Sequence, residues 1–166
     1  VTPPVKPNLP PPTVTAGTNS VSATGGGLVF KGHSNSVFSV AWSPDGKHLA
    51  SGSQDKTLQV WEAASGKLVH ALQGHSMAIG SVAWSPDGKY LAISSWDKTV
   101  KVWEVSSDRV LSTLQGHTSH VTSVDWSPDG KYLASSSPDK TVKVWEVASG
   151  RVLSTLQGHT KEVFSV

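Results

Sequence analysis

Seven histidines, twelve acidic side chains and a serine-rich background are the groups in this chain that offer chemistry. Catalysis or metal binding would need them to converge. His33, His75, His117 and His159 instead recur at one fixed interval, once per unit, which suits a copied structural role better than a shared metal site. His117 and His120 form a His-x-x-His without the glutamate of a zincin helix, and on a strand or loop that spacing does not put both imidazoles on one face. Asp45, Asp87 and Asp129 sit in identical Ser-Pro-Asp-Gly turns. There is no Gly-x-Ser-x-Gly elbow and no phosphate-binding glycine loop, and Gly25-Gly26-Gly27 reads as a hinge. The absence of cysteine removes disulfides, thiolate nucleophiles and Cys-ligated zinc or iron–sulfur sites, and it leaves the compartment open. The expectation is a non-enzymatic chain with no metal and no cofactor.

Charge gives no strong lead. The net charge is +2 and only 16% of the 166 residues are charged, so a sequence pI near 8.9 reflects a small lysine excess and no basic tract. No long uninterrupted apolar run exists, so membrane insertion is not expected, and the N-terminus lacks the basic-then-apolar order of a signal peptide. Val1 is not an initiator Met, and an apolar alternation runs to Val166, so the expectation is a segment of a longer protein. Six of the ten prolines fall in the first twelve residues, followed almost entirely by Thr, Ser, Ala, Val and Gly to position 27. With almost no bulky apolar side chains to offset ordering entropy, 1–27 reads as a disordered linker biased toward polyproline II.

The elements that position the histidines are short strands. Val37 to Trp42 is β-branched and aromatic, Ser43-Pro44-Asp45-Gly46 is a turn, and His48 to Ser53 returns. Asp55-Lys56 is a second tight turn before Thr57 to Trp61, and Ala64-Ser65-Gly66 leads into Leu68 to Leu72. Four strands in each repeat leave no room for a helix. A lone four-stranded meander covers one face at best, so such units must stack.

Gly-His, then the Asp of Asp-Lys-Thr, then the Trp that closes the next strand, repeated in phase three times, resembles the WD-repeat (WD40) β-propeller family, in particular bacterial members with near-identical repeats. The expected fold is all-β: a partial propeller over 28–166 with three complete four-stranded blades at 32–73, 74–115 and 116–157. A flanking strand d (Leu28 to Phe30) and a strand a (Glu162 to Val166, in the partial repeat 158–166) complete the expectation. The closing dipeptide is Trp-Glu (Trp61-Glu62, Trp103-Glu104, Trp145-Glu146), which keeps the charge sign of the family's pattern. The resemblance implies a buried hydrogen-bonded tetrad per blade: His33, Ser51, Asp55 and Trp61 in the first, His117, Ser135, Asp139 and Trp145 in the third. In the second, His75, Asp97 and Trp103 meet Ile93 where the hydroxyl should be, which predicts that this blade is the least stable. Family rings close with about four to eight blades, so a parent with more repeats is expected.

Blades 2 and 3 agree at 32 of 42 positions, and half of the ten differences are consecutive, at 76–80 against 118–122. Another is Trp96 against Pro138, where blade 1 has Gln54. In the resembled family these positions lie on the partner-binding face. The contact candidates are Ser36, Phe38 and Gln54, then Ala78, Gly80 and Trp96, then His120, Thr122 and Pro138, with Met77 and Phe164 nearby. Trp96, the one tryptophan outside the repeat pattern, is either a hot-spot contact or a cover for a neighbouring blade. Lys56, Lys98 and Lys140 form a recurring cationic position, read as solvated turn residues more readily than as phosphate ligands, so a protein or peptide partner is favoured over nucleic acid. A second reading is a sensory or regulatory domain tethered to a signalling enzyme such as a serine/threonine kinase. A third is a repetitive or engineered fragment without a partner. Strand edges left open at both ends lead to the expectation of self-association.

Overall fold

The structure, a computed structural model, describes residues 28–166. The expected linker, 1–27, lies outside the described residues. Twelve strands form three antiparallel four-stranded sheets, and no helix is present among the described residues. Blade 1 holds β1 (Val37–Trp42), β2 (His48–Ser53), β3 (Thr57–Glu62) and β4 (Leu68–Gln73) in chain order. Blade 2 holds β5 (Ile79–Trp84), β6 (Tyr90–Ser95), β7 (Thr99–Glu104) and β8 (Arg109–Gln115), and blade 3 holds β9 (Ser123–Trp126), β10 (Tyr132–Ser136), β11 (Val142–Glu146) and β12 (Arg151–Leu156).

Local chemistry sets the turns. In Ser43-Pro44-Asp45-Gly46 the Gly46 amide donates to the Ser43 carbonyl at 2.9 Å, and Gly46 takes φ 70°, a left-handed conformation free of Cβ strain. Ser43 Oγ donates to Asp45 Oδ1 at 2.6 Å and accepts from the His48 amide at 2.9 Å, so two short side chains stand in for backbone partners. The next turn places Lys56, Lys98 and Lys140 at φ 72°, 74° and 70°, which brings their side chains to exposed positions on one set of loops.

The core lies between sheets. Ala50, Leu58, Val60 and Leu72 of blade 1 pack against Ile79, Val82, Leu91, Ile93 and Trp103 of blade 2. Blade 2 then presents its other face, Ala92, Val100, Val102 and Leu114, to Val121, Val124, Trp126, Leu133 and Trp145 of blade 3. Strand alternation makes this work: Leu91 and Ile93 point backward while Ala92 points forward. Neighbours decide burial at equivalent positions. Val40 is 67% exposed in blade 1, whereas its equivalents Val82 and Val124 are 4% and 3% exposed beneath a preceding blade. Two tryptophans add polar staples, with the Trp84 and Trp126 indole N–H donating to the Ala41 and Ala83 carbonyls of the preceding blade at 3.2 and 3.1 Å.

Two expected strands are corrected. Leu28 to Phe30 is not a strand, because a d strand needs the c strand of a preceding blade and none lies among the described residues. Phe30 still packs edge to face on Trp61, 5.7 Å between centroids. Glu162 to Val166 is likewise not a strand, lacking a b strand to pair with. It nevertheless lies where the next blade would begin: the Val166 amide donates to Ser123 Oγ at 3.4 Å, as the Val82 amide donates to Ser39 Oγ at 3.1 Å two blade boundaries earlier. Neither Leu28 to Phe30 nor Glu162 to Val166 therefore offers a regular strand edge of the kind expected to drive self-association.

Strand a carries a bulge in blades 1 and 2, with Phe38 and Gly80 as the extra residues. A Cβ on Gly80 would lie 2.9 Å from the Val121 carbonyl oxygen and 3.1 Å from that of Thr122, both backbone atoms of the next blade. Gly80→Val is therefore expected to push blade 3 away and cost about 1–3 kcal/mol. A urea midpoint equal to that of the parent chain would contradict this packing requirement.

Candidate functional site

The loops that carry the contact candidates are tied down from below by the histidine networks. In blade 1, His33 Nδ1–H donates to Asp55 Oδ2 at 2.9 Å, Ser51 Oγ is 2.8 Å from His33 Nε2, and the Trp61 indole N–H donates to the same Ser51 oxygen at 2.8 Å. Asp55 is the hub. Its Oδ2 also accepts the Ser34 amide at 2.9 Å, and its Oδ1 accepts Thr57 Oγ1 at 2.6 Å and the Thr57 amide at 2.9 Å. One carboxylate thus joins the loop entering the blade to the turn between strands b and c. Blade 3 repeats the arrangement: His117 to Asp139 at 2.7 Å, and Ser135 to both His117 Nε2 and the Trp145 indole at 2.8 Å. The threonines after each Asp-Lys belong to these networks. Their recurrence in Asp-Lys-Thr was the available signal.

Blade 2 keeps the His75–Asp97 bond at 2.8 Å but has Ile93 at the serine position, and both His75 Nε2 and Trp103 Nε1 are buried without a hydrogen-bond partner. Leaving such groups unpaired costs roughly 1–3 kcal/mol each. Ile93 is completely buried in the core between blades 1 and 2, so apolar burial opposes that loss. Blade 2 is also covered on both faces, which works against its being the weakest unit.

Burial pushes His75 and His117 below the ordinary 6.5, with their aspartates pulling the other way, so both are neutral near pH 7. For the carboxylates burial acts upward, yet hydrogen bonds from Thr141, His117 and the Thr118 amide outweigh it and bring Asp139 down to about 2. Asp55 and Asp97 move in the same direction for the same reasons.

Above this framework three of the contact candidates, one from each blade, form a single stack. Phe38 lies on Trp96 with centroids 5.6 Å apart and planes at 18°, and Trp96 lies on His120 at 5.3 Å and 25°. His120 Nδ1–H donates to the Trp96 carbonyl at 2.8 Å. Both faces of the indole are therefore occupied by neighbours, while Phe38 remains 44% exposed. Ser36, Gln54, Met77 and Phe164 are exposed, and Pro138 is half-buried. Thr122 Oγ1 is 3.2 Å from the Val163 carbonyl, to which it donates. One candidate lies below the surface: Ala78 is buried, its carbonyl accepting from the Trp96 amide and Ser95 Oγ at 2.9 Å each, while Gly80 is half-buried with its Cβ space taken by the next blade. Lys56, Lys98 and Lys140 stand exposed on the same turns. Among the described residues no group of three or more His, Cys, Asp or Glu is placed to hold a metal, and no helix is long and apolar enough to cross a membrane.

Sheets of four antiparallel strands stacked face to face, with His–Asp–Ser–Trp networks under their loops, define a WD40 β-propeller, here open and not closed. The chain belongs to the family described as the echinoderm microtubule-associated protein second beta-propeller, whose model matches residues 27–164. WD40 propeller families generally act as protein-interaction scaffolds without enzymatic activity. Similar solved structures include that titled "Structure of U3-55K" (TM-score 0.79, 32% identity, covering 82% of this chain and 43% of that one). Another, the WD40 repeats of RRP9, has a TM-score of 0.79, 33% identity and the same coverage. Among curated relatives, the ribosome biogenesis protein BOP1 homologs of Drosophila virilis and Drosophila persimilis are each 44% identical over 46 residues, 28% of this chain and 6% of theirs. The chain thus spans under half of the solved structures and a small part of these relatives, and the fly relatives lend no support to the expected bacterial affinity.

Ser135→Ile is expected to strand His117 Nε2 and Trp145 Nε1 and to destabilise by about 2–4 kcal/mol, whereas Ile93→Ser trades apolar burial for two new hydrogen bonds and should stay within about 1 kcal/mol of the parent. Equal losses in chemical denaturation would refute the asymmetry. Acid should weaken the fold in two stages. Unfolded histidines take up protons near 6.5 while the buried ones resist, and the contribution of Asp139, full above 3.8, is lost as pH falls through about 2. The urea midpoint is expected to decline already between about pH 7 and about pH 5, and a flat midpoint there would disprove the histidine contribution.

Proposed function

We propose that the chain is a non-enzymatic interaction scaffold that presents its entry loops and b–c turns to a protein or peptide. The observation that carries this reading is the stack of Phe38, Trp96 and His120, which joins variable positions of three blades on one loop face. Trp96 serves as the spine of that stack, and the exposed candidates Phe38, Met77, Phe164, Ser36 and Gln54 supply contact surface on the loops. Exposed aromatic and aliphatic side chains held on rigid loops suit a peptide that offers an aromatic or aliphatic anchor. The relatives' names connect blades of this kind with ribosome biogenesis, so RNA–protein assemblies are the setting to examine first.

The test is selection of binding peptides from a displayed library, followed by mapping of their amide shifts. Binders are expected to perturb the loop face and to lose roughly tenfold or more in affinity on Phe38→Ala, with little change between low and moderate salt. Shifts confined to the outer strands would defeat the proposal, and affinity collapsing steeply with salt would point to phosphate contacts with nucleic acid. A second copy of the chain, drawn to the uncovered face around Val40 and Trp42, is distinguished by light scattering that depends on chain concentration alone.

A further inference from the structure

The grooves on the outer side of successive blades provide an internal comparison. Between blades 1 and 2, His70 of β4 enters the groove: its ring meets Trp103 edge to face with centroids 5.3 Å apart, and its Nδ1 lies 3.6 Å from Asp108 Oδ1 of blade 2. Asp108 adopts φ 56°, in the left-handed region where blades 1 and 3 carry Gly66 and Gly150, both at φ 69°. Glycine takes that conformation more readily than a residue with a Cβ, so placing a carboxylate opposite His70 has a backbone cost. One repeat later both members of the pair change together, to Ser112 and Gly150.

The consequence is space. The groove between blades 2 and 3 encloses about 500 Å³, against about 240 Å³ in the groove that His70 helps to fill. Val102, Leu111 and Val147 supply apolar wall, Tyr90 and Tyr132 also line it, one from each blade, and Lys131 and Glu146 bring charge of both signs. Ser112, also lining it, has a buried hydroxyl with no hydrogen-bond partner. A mainly apolar cleft of this size with a few polar groups and one unpaired hydroxyl has the character of a small-molecule site.

We propose that this outer groove between blades 2 and 3 binds a low-molecular-weight heteroaromatic ligand of one or two fused rings, seated where His70 sits in the sister groove. His70 is the covalent template for the ligand: a flat ring, with a polar nitrogen, held between blades. Ser112 and the tyrosine hydroxyls hydrogen-bond the ring nitrogens, and the surrounding aliphatic and aromatic side chains enclose its faces. The site is independent of the loop face.

The probe is benzimidazole, titrated into the isotopically labelled chain and followed by amide shifts. Saturable shifts centred on Gly130, Lys131 and Val147 are expected. The double substitution Ser112→His with Gly150→Asp, which rebuilds the His70–Asp108 pair, should weaken binding tenfold or more, and so should Ala148→Trp, which blocks the exposed rim without touching the core. The reverse pair, His70→Ser with Asp108→Gly, should create a second saturable set around Gly88, Lys89 and Val105. Shifts that are scattered or fail to saturate in the parent chain would overturn the proposal, as would undiminished binding in a folded variant with the groove filled or blocked.

Discussion

Everything in this molecule depends on apolar burial between successive sheets. Each blade carries bulky side chains on both faces, and a four-stranded sheet has no means of covering either by itself. Leu58 and Val60 on one blade disappear only because Ile79, Val82 and Leu91 of the next lie on them, and Val40, at the uncovered end, stays in water. Stability is therefore a property of neighbouring pairs. That explains why Gly80 has no side chain where a backbone from the next blade presses in, and why residues 162–166 follow the path of a missing strand without becoming one.

Stacking alone would leave loops free to wander, and the polar networks prevent this. Asp55 and Asp139 each receive bonds from a histidine, a threonine and the amide after the histidine, so the chain entering the blade and its b–c turn are fixed together. Blade 2 shows which part of the arrangement is separable. The histidine–aspartate bond survives loss of the hydroxyl, because it organises the loops, whereas the serine satisfies the lower histidine nitrogen and the indole. Ile93 exchanges that polar satisfaction for burial between blades.

Differences between near-identical repeats are where function enters. At the loops, substitutions at Phe38, Trp96 and His120 meet across three blades and make a rigid aromatic spine. At the outer side, the change from His70 and Asp108 to Ser112 and Gly150 opens a groove. In both places a uniform scaffold is specialised by a very small number of side chains, each acting on a residue of the adjacent blade.

The strands, the turns between them and their order were legible in the sequence, because Ser-Pro-Asp-Gly and Asp-Lys-Thr punctuate β-branched runs at a constant period. The missing hydroxyl of blade 2 was legible too, from Ile93 standing in a column of serines. The stack was not: Phe38, Trp96 and His120 belong to different blades, and their rings meet only through the stagger between sheets. Trp96 illustrates the limit. Its type and position marked it as exceptional, but only the packed structure shows both faces of the indole covered by other rings. The terminal segments show the same division, since a sequence with strand propensity becomes a strand only where a partner offers its hydrogen bonds. Sequence by itself determined the repeat and the chemistry inside each blade, which are local. Tertiary structure decided what is buried, what stacks and what stays open, because those depend on the neighbouring sheet.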